Sequence, residues 1–273
     1  MSSDIESFYR VSSWSEDLGG SGRRRFEEAR GVFSRILDHV WFRDLFSGKR
    51  VLSIIDVCGG TGVGGLALAS VLVERGFGAR LVVNDLRRSA LEKAELFGKE
   101  LLGLGVEVVW DNALNIDKYV SSADIALIYG MSLPHFDPYE LIYLLAVLSK
   151  ILGERGVLVI EEIDRVWALY NQRDKRDVSL DHVDNRYVLS GHVSYDPLRG
   201  VFRRVFIDLS DMSRVYVDLR LWDLATPLAM AWVFFREIDF LSIKNDFHGI
   251  ILARGSRGID PYMYRDLPYR SKR

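Results

Sequence analysis

An α/β fold built on a doubly wound, mostly parallel sheet is what this sequence predicts, from three features. Between Val51 and Ile160, apolar runs rich in β-branched residues alternate with longer stretches of helical periodicity, the pattern of strands buried on both faces and their crossover helices. The first run, Val51 to Val57, breaks into Gly59, Gly60, Gly62, Gly64 and Gly65 just ahead of an apolar helical segment. With 273 residues, 48% of them hydrophobic, the chain can bury one sizeable core, and no internal repeat is evident.

The elements follow in order. Residues 1–50 read as an N-terminal helical cap: after a Gly/Ser break at Gly19 to Gly22, Phe26, Val32, Phe33, Ile36, Leu37, Val40 and Trp41 recur at helical spacing between Arg24 and Phe46. The run Arg23-Arg24-Arg25 reads as a solvated helix start; the alternative is a lid laying Tyr9, Trp14 and these arginines over a ligand. After the glycines, Leu66 to Glu74 reads as helix, Arg80 to Asp85 as strand, Ser89 to Leu102 as helix, Val106 to Trp110 as strand and Ala123 to Tyr129 as the fourth strand. Asp137-Pro138-Tyr139-Glu140 carries an N-cap acid, a proline at the first helical position and a glutamate three residues after the cap. It therefore starts the apolar helix that ends near Leu152, and Gly153 to Gly156 turns into a fifth strand, Val157 to Ile160, followed by Glu161, Glu162 and Asp164.

Beyond that strand the period changes. YVLSGHVSYD, GVFRRVFIDL and SRVYVDLRLW alternate with turn signals and predict a small antiparallel insertion at about residues 183–222. Leu224 to Arg236 gives a last helix, and Asp239 to Lys244 with Gly249 to Arg254 a closing antiparallel pair. The tail from Gly255 interleaves Tyr262, Tyr264 and Tyr269 with Arg265, Arg270, Lys272 and Arg273, and reads as a frayed terminus. A nucleic-acid or partner contact is the other reading.

The glycine turn carries the chemistry. Glycines let the backbone take positive φ and approach a ligand, while the next helix's N-terminus offers free N–H groups. Asp56 precedes the turn, and Asp85 ends the following strand near the spacing of a ribose-binding acid, so the pattern describes a nucleoside-cofactor site. Gly60, Gly62 and Gly65 also satisfy the dinucleotide pattern, so NAD(P) stays open on the glycines alone.

The fuller string Asp56-Val57-Cys58-Gly59-Gly60-Thr61-Gly62 resembles the first motif of class I S-adenosylmethionine-dependent methyltransferases of the small-molecule type. Cys58 stands where the family has its first glycine, so the backbone there must accept a side chain. Asp111-Asn112-Ala113-Leu114-Asn115-Ile116 resembles the family's segment after the third strand, and Gly130-Met131-Ser132-Leu133-Pro134-His135-Phe136 its loop facing the transferred methyl. The resemblance implies a Rossmann-like sheet with an antiparallel last strand, a methyltransferase domain over residues 51–273 and S-adenosyl-L-methionine as cofactor. It implies cofactor contacts at Asp56, Cys58, Gly59, Gly60, Gly62, Asp85, Leu86, Asn112, Ala113 and Gly130; Asn112 alternatively just stabilises a turn.

Methyl transfer from a sulfonium needs little acid–base help, so a missing triad does not argue against an enzyme. If the acceptor must lose a proton, His135 is the first candidate base and Tyr129 the next, with Glu161 and Glu162 behind them; a non-catalytic His135 is the alternative. The insertion should roof an acceptor pocket walled by His192, Tyr195, Arg220 and Trp222, unless Trp222 only packs. A nucleophilic role for Cys58 is set aside in favour of packing.

A net charge of −2 disfavours a polyanion-binding surface, so a small-molecule acceptor is expected rather than nucleic acid. One cysteine fits a cytoplasmic protein; the N-terminus has no signal-peptide pattern, and the late apolar stretch Leu224 to Phe235 is too short for a bilayer. His182, His192 and His248 lack metal-ligand spacing, so no metal is expected. An NAD(P)-dependent oxidoreductase and a non-catalytic S-adenosylmethionine-binding protein stand as the competing readings.

Overall fold

Val51–Val57 forms β1, the pivot of a seven-stranded sheet in the computed structural model, which describes residues 2–12, 21–171, 178–183 and 186–266. Trp14, the first part of the Gly/Ser break and the tail residues Tyr269, Arg270, Lys272 and Arg273 lie outside the described residues. The other strands are β2 Gly78–Asp85, β3 Val106–Trp110, β4 Ile125–Ile128, β5 Val157–Ile163, β10 Phe235–Asn245 and β11 His248–Ser256. Their order is β10-β11-β5-β4-β1-β2-β3. Strands β1 to β5 pair in parallel, while β11 runs antiparallel to both β5 and β10.

Two apolar layers sandwich the sheet. On one face Phe33 and Leu37 of α2 (Ser21–Ile36) and its following turn, Phe42 of α3 (Val40–Phe46), Leu66 of α4 (Val63–Glu74) and Leu91 of α5 (Arg88–Leu102) pack on Ile54, Leu81 and Val159. On the other, α6 (Pro138–Leu152) and α8 (Ala225–Phe234) pack on Ile55, Ala126, Ile160 and Ile251. The alternate residues of each strand thus serve opposite layers, which is why these runs read as continuously apolar. At the start of α6, Asp137 accepts hydrogen bonds from the Tyr139 and Glu140 amides, and the Glu140 carboxylate accepts one from the Asp137 amide, the reciprocal cap the sequence predicts.

The insertion is a separate four-stranded antiparallel sheet in the order β6-β7-β8-β9, formed by Val178–Val183, Arg186–Asp196, Val201–Asp208 and Arg214–Leu219. It holds one strand more than the sequence suggests, because β6 leaves its apolar residues in water: Val178 and Leu180 are 55% and 57% exposed. Two helices also go unread in the sequence. The seven-residue α7 (Arg165–Asn171) buries no residue and so has no apolar stripe to betray it. Helix α1 (Ser2–Ser12) packs Phe8 and Val11 against Val188, Phe206, Val215 and Val217 of the insertion, not against the main sheet. Of the described residues before β1, α1 thus docks on the insertion while α2 and α3 dock on the main sheet.

Candidate functional site

Strand order reverses between β1 and β4, and in open α/β sheets the crevice at that point, beyond the strand C-termini, receives ligands. Asp56 lies fully buried beneath the glycine turn and accepts the Gly65 amide at 2.7 Å through Oδ2. A Cβ at Gly59 would sit 2.6 Å from the Asp56 carboxyl carbon, which is why this residue has none. Oδ1 of Asp56 has no hydrogen-bond partner, and burial pushes its pKa up to about 7 against the pull of the Gly65 amide. Cys58, Gly60 and Gly62 follow in the left-handed region, at φ 55°, 59° and 76°. Cys58 thus holds the backbone shape its position in the motif requires despite a side chain, and burial pushes its thiol up, the opposite of an activated nucleophile. Gly62 caps α4 without any side-chain hydrogen bond, so in the first turn it is Asp56 that takes up an amide, that of Gly65.

Asp85 closes the neighbouring wall and is only 8% exposed. Its Oδ2 accepts the Gly60 amide at 2.8 Å, while Oδ1 accepts both the amide and Nε of Arg87, at 2.9 and 3.1 Å. The carboxylate is therefore not vacant for two further donors, as its place in the motif suggests: three of about four acceptor directions are in use. Arg87 is itself buried, its guanidinium 3.7 Å from the ring centre of Tyr9 on α1. Leu86 is anchored through its carbonyl by Trp110 Nε1 at 2.9 Å. Asn112 Oδ1 accepts the Leu114 amide at 2.9 Å and caps the short 3-10 turn Ala113–Lys118, with Ala113 buried at its start. Asn112 thus stabilises the turn, and its Nδ2 has no part in that cap.

The loop after β4 forms the third wall. Gly130, at φ 94°, donates its amide to Glu161 Oε2 at 2.9 Å, and Glu161 Oε1 lies 3.0 Å from His248 Nε2. A Cβ on Gly130 would collide with the Arg25 guanidinium, so Arg25 of α2 reaches this loop while Arg23 is exposed and pairs with Glu27. His135 lies 3.5 Å from the Tyr9 hydroxyl and edge-on to Phe8. Burial, with Arg165 and Arg87 nearby, pushes its pKa down to about 4, partly offset by Asp85, so the imidazole is neutral at pH 7. Tyr129 is a correction: it packs under α4 at Gly64 and against Phe33, 5.1 Å ring to ring, and burial pushes its phenol up. It is a core residue and no base.

The insertion docks here through the residues that follow β9 and through the turn between β7 and β8. Arg220 donates its amide to the Pro134 carbonyl at 2.8 Å, Trp222 Nε1 donates to the Leu133 carbonyl at 2.9 Å, and Arg199 pairs with Asp137 at 2.7 Å. Trp222 is completely buried, which corrects its assignment as a wall residue: it is the post on which the loop and Arg220, 4.8 Å above its ring, are mounted. His192 lies 3.1 Å from Arg204 Nη1. Tyr195 stacks beside Phe202 at the far end of β7 and is 51% exposed. Between the insertion and the loop lies α1, so Phe8 and Tyr9 stand beside the insertion over His135. The sequence hints at Tyr9 and Arg25 only as a possible lid; Arg87 has no signal beyond its place after Asp85.

No family model matches the sequence, and no curated protein matches it. Solved structures match the fold. The PH0226 protein of Pyrococcus horikoshii OT3 aligns with a TM-score of 0.63 at 16% identity, over 92% of this chain and 99% of that one. The CcbJ methyltransferase of Streptomyces caelestis gives 0.61 at 14% identity, over 84% and 90%. The sugar N-methyltransferase KedS8 of Streptoalloteichus sp ATCC 53650 gives 0.54 at 19% identity, over 92% of both chains. The chain has the Rossmann-like, seven-stranded fold of class I S-adenosylmethionine-dependent methyltransferases, with a four-stranded antiparallel sheet added after β5. Among the described residues, no helix is long and apolar enough to cross a membrane, and no group of three or more His, Cys, Asp or Glu side chains is arranged to hold a metal.

Proposed function

We propose that this chain is an S-adenosyl-L-methionine-dependent methyltransferase acting on a small-molecule acceptor. The observation that carries the reading is the glycine turn that opens α4 between Asp56 and Asp85, at the reversal point of a sheet whose last strands run β11 antiparallel between β5 and β10. A dinucleotide-binding sheet runs parallel to its sixth strand, so the reversed β11 favours the methyltransferase reading over NAD(P). Several structural neighbours are methyltransferases by name, one of them a sugar N-methyltransferase.

The residues fit the cofactor. The first-turn amides of α4 other than that of Gly65 suit the carboxylate of the methionine part, and the unpartnered Oδ1 of Asp56 suits a donor from the same end. Asp85 keeps one acceptor direction for a ribose hydroxyl, and a second requires the Arg87 side chain to yield. Leu86, Ala113 and the Nδ2 of Asn112 would frame the adenine. When bound, the cofactor supplies an electrophilic methyl on a sulfonium that departs as a neutral thioether.

The protein's task is then alignment and exclusion of water, a term worth up to about 7 to 11 kcal/mol in favourable cases. Gly130 to Phe136 orients the acceptor, α1 covers it through Phe8 and Tyr9, and neutral His135 can accept a hydrogen bond from the acceptor's nucleophile. The lone cysteine supports a place in the reducing cytoplasm. Calorimetric titration tests the reading: saturable binding of S-adenosylmethionine and its demethylated product is expected, and saturable binding of NAD or NADP alone overturns it. Methyl release to an acceptor in a metabolite screen with labelled cofactor separates an enzyme from a silent binder.

A further inference from the structure

Beside the loop after β4 lie three buried polar atoms with no hydrogen-bond partner: Glu162 Oε2, Arg165 Nε and Arg220 Nε. Each belongs to a side chain pinned at its other end. Glu162 is fully buried, and its Oε1 accepts the Ile163 amide at 2.8 Å and meets Arg165 Nη2 at 3.2 Å. Arg165 Nη2 also reaches the Met131 carbonyl at 3.4 Å. Arg220 donates from Nη1 to the Gly200 carbonyl at 2.9 Å. Trp222 joins the two arginines, and Glu162 joins them through Arg165: the Trp222 carbonyl accepts the Arg165 amide at 2.8 Å, its ring lies under the Arg220 guanidinium, and its Nε1 is bonded to the loop.

An orphaned carboxylate oxygen and two orphaned guanidinium N–H groups, fixed on one scaffold, are costly unless something satisfies them, since each unpaired buried group forfeits its hydration. Their chemistry is complementary to a ligand that presents a donor next to an oxygen. We propose that Glu162, Arg165 and Arg220 form the acceptor-recognition subsite of the methyltransferase proposed above, and that the acceptor is a hydroxylated amine or polyol. An N–H or O–H of this acceptor donates to Glu162 Oε2, and a neighbouring oxygen accepts from Arg165 and Arg220. The inference rests on the methyltransferase reading for its name but on these three atoms for its content. The location agrees with it, because Arg165 is one of the charges that hold down the pKa of His135 in the methyl-facing loop. These residues touch the acceptor in this account and hold it; they take no part in bond-making.

The test uses the full chain saturated with the demethylated cofactor, with 2-amino-1,3-propanediol as probe and cyclohexylamine, which lacks oxygen, as control. Crystals soaked in the probe should show its amine or a hydroxyl within about 3 Å of Glu162 Oε2, the ordinary hydrogen-bond distance, with another oxygen toward the arginines. In solution, Glu162→Gln and Arg220→Gln should each weaken probe binding about tenfold, and cyclohexylamine should bind no better than it does to the variants. The dissociation constant of the demethylated cofactor should stay within about twofold in both variants, which certifies their fold. Probe density elsewhere, ordered water alone at the three atoms, or unchanged probe affinity in both variants overturns the subsite. If the wild-type chain fails to bind the demethylated cofactor, the methyltransferase reading falls; the same soak without cofactor then still decides whether the three atoms hold the probe.

Discussion

The two ends of the crevice are built in opposite ways. At the proposed cofactor end, the glycine turn is bonded to the acids around it: the Gly65, Gly60 and Arg87 amides all end on carboxylate oxygens of Asp56 and Asp85, while Asp56 Oδ1 and the neighbouring Asn84 Oδ1 stay unpartnered. At the acceptor end, Glu162, Arg165 and Arg220 each keep an unpartnered buried atom. A site whose backbone donors end on its own carboxylates is organised before any ligand arrives; a site whose paired side chains each keep a buried polar atom over is completed by what it binds. This contrast also fits a cofactor shared by many enzymes and an acceptor peculiar to one.

The sharpest way to break the contrast is at Asp85. Asp85→Ala removes the acceptor for Gly60 and Arg87 and should weaken binding of the demethylated cofactor by about 1.5 to 3 kcal/mol, the range for hydrogen bonds to a charged group. Titration calorimetry on the folded variant checks it, and an unchanged affinity would confine Asp85 to a structural role. Gly59→Ala comes next. Its Cβ would press on the Asp56 carboxyl, so overpacking should lower stability by about 1 to 3 kcal/mol, read as a fall in Tm.

A smaller effect, found at both ends, is pH dependence. Asp56 and Glu162 both have a pKa pushed up to about 7 by burial, against about 4 for a free carboxyl. The folded chain therefore holds protons that the unfolded chain releases near pH 4. Unfolding releases them between about pH 4 and 7, so these groups lower stability as pH rises through that window and add no further slope above it. Denaturant titrations of Asp56→Asn and Glu162→Gln at pH 4.5 and 7.5 should show each variant gaining on the wild type at the higher pH; a difference independent of pH refutes the buried-carboxyl account. The least effect is expected at Cys58→Gly. Relief of the left-handed strain, about 1 to 2 kcal/mol, is largely offset by glycine's greater loss of backbone freedom, so stability should change by less than about 1 kcal/mol. A larger loss would mean that the Cys58 side chain itself supports the turn.

What the sequence determined by itself is the part written in contiguous residues. The alternation of strands and helices, the glycine turn between Asp56 and Val63, the capping box at Asp137 and the closing antiparallel pair all appear in the structure, because their periods, turns and caps depend on neighbours within a few residues. The tertiary structure alone decided that Arg87 would share Asp85, that α1 would lie over His135, and that Tyr129 and Trp222 would be buried as supports. It also decided that Glu162 would pair with Arg165, and that Arg165 through its amide and Arg220 through its guanidinium would both be held at Trp222, more than fifty residues away from Glu162 in the chain. The physical reason is burial: whether a polar side chain is bonded, orphaned or merely wet depends on which distant surface takes the place of water beside it, and no local pattern of residues records that choice.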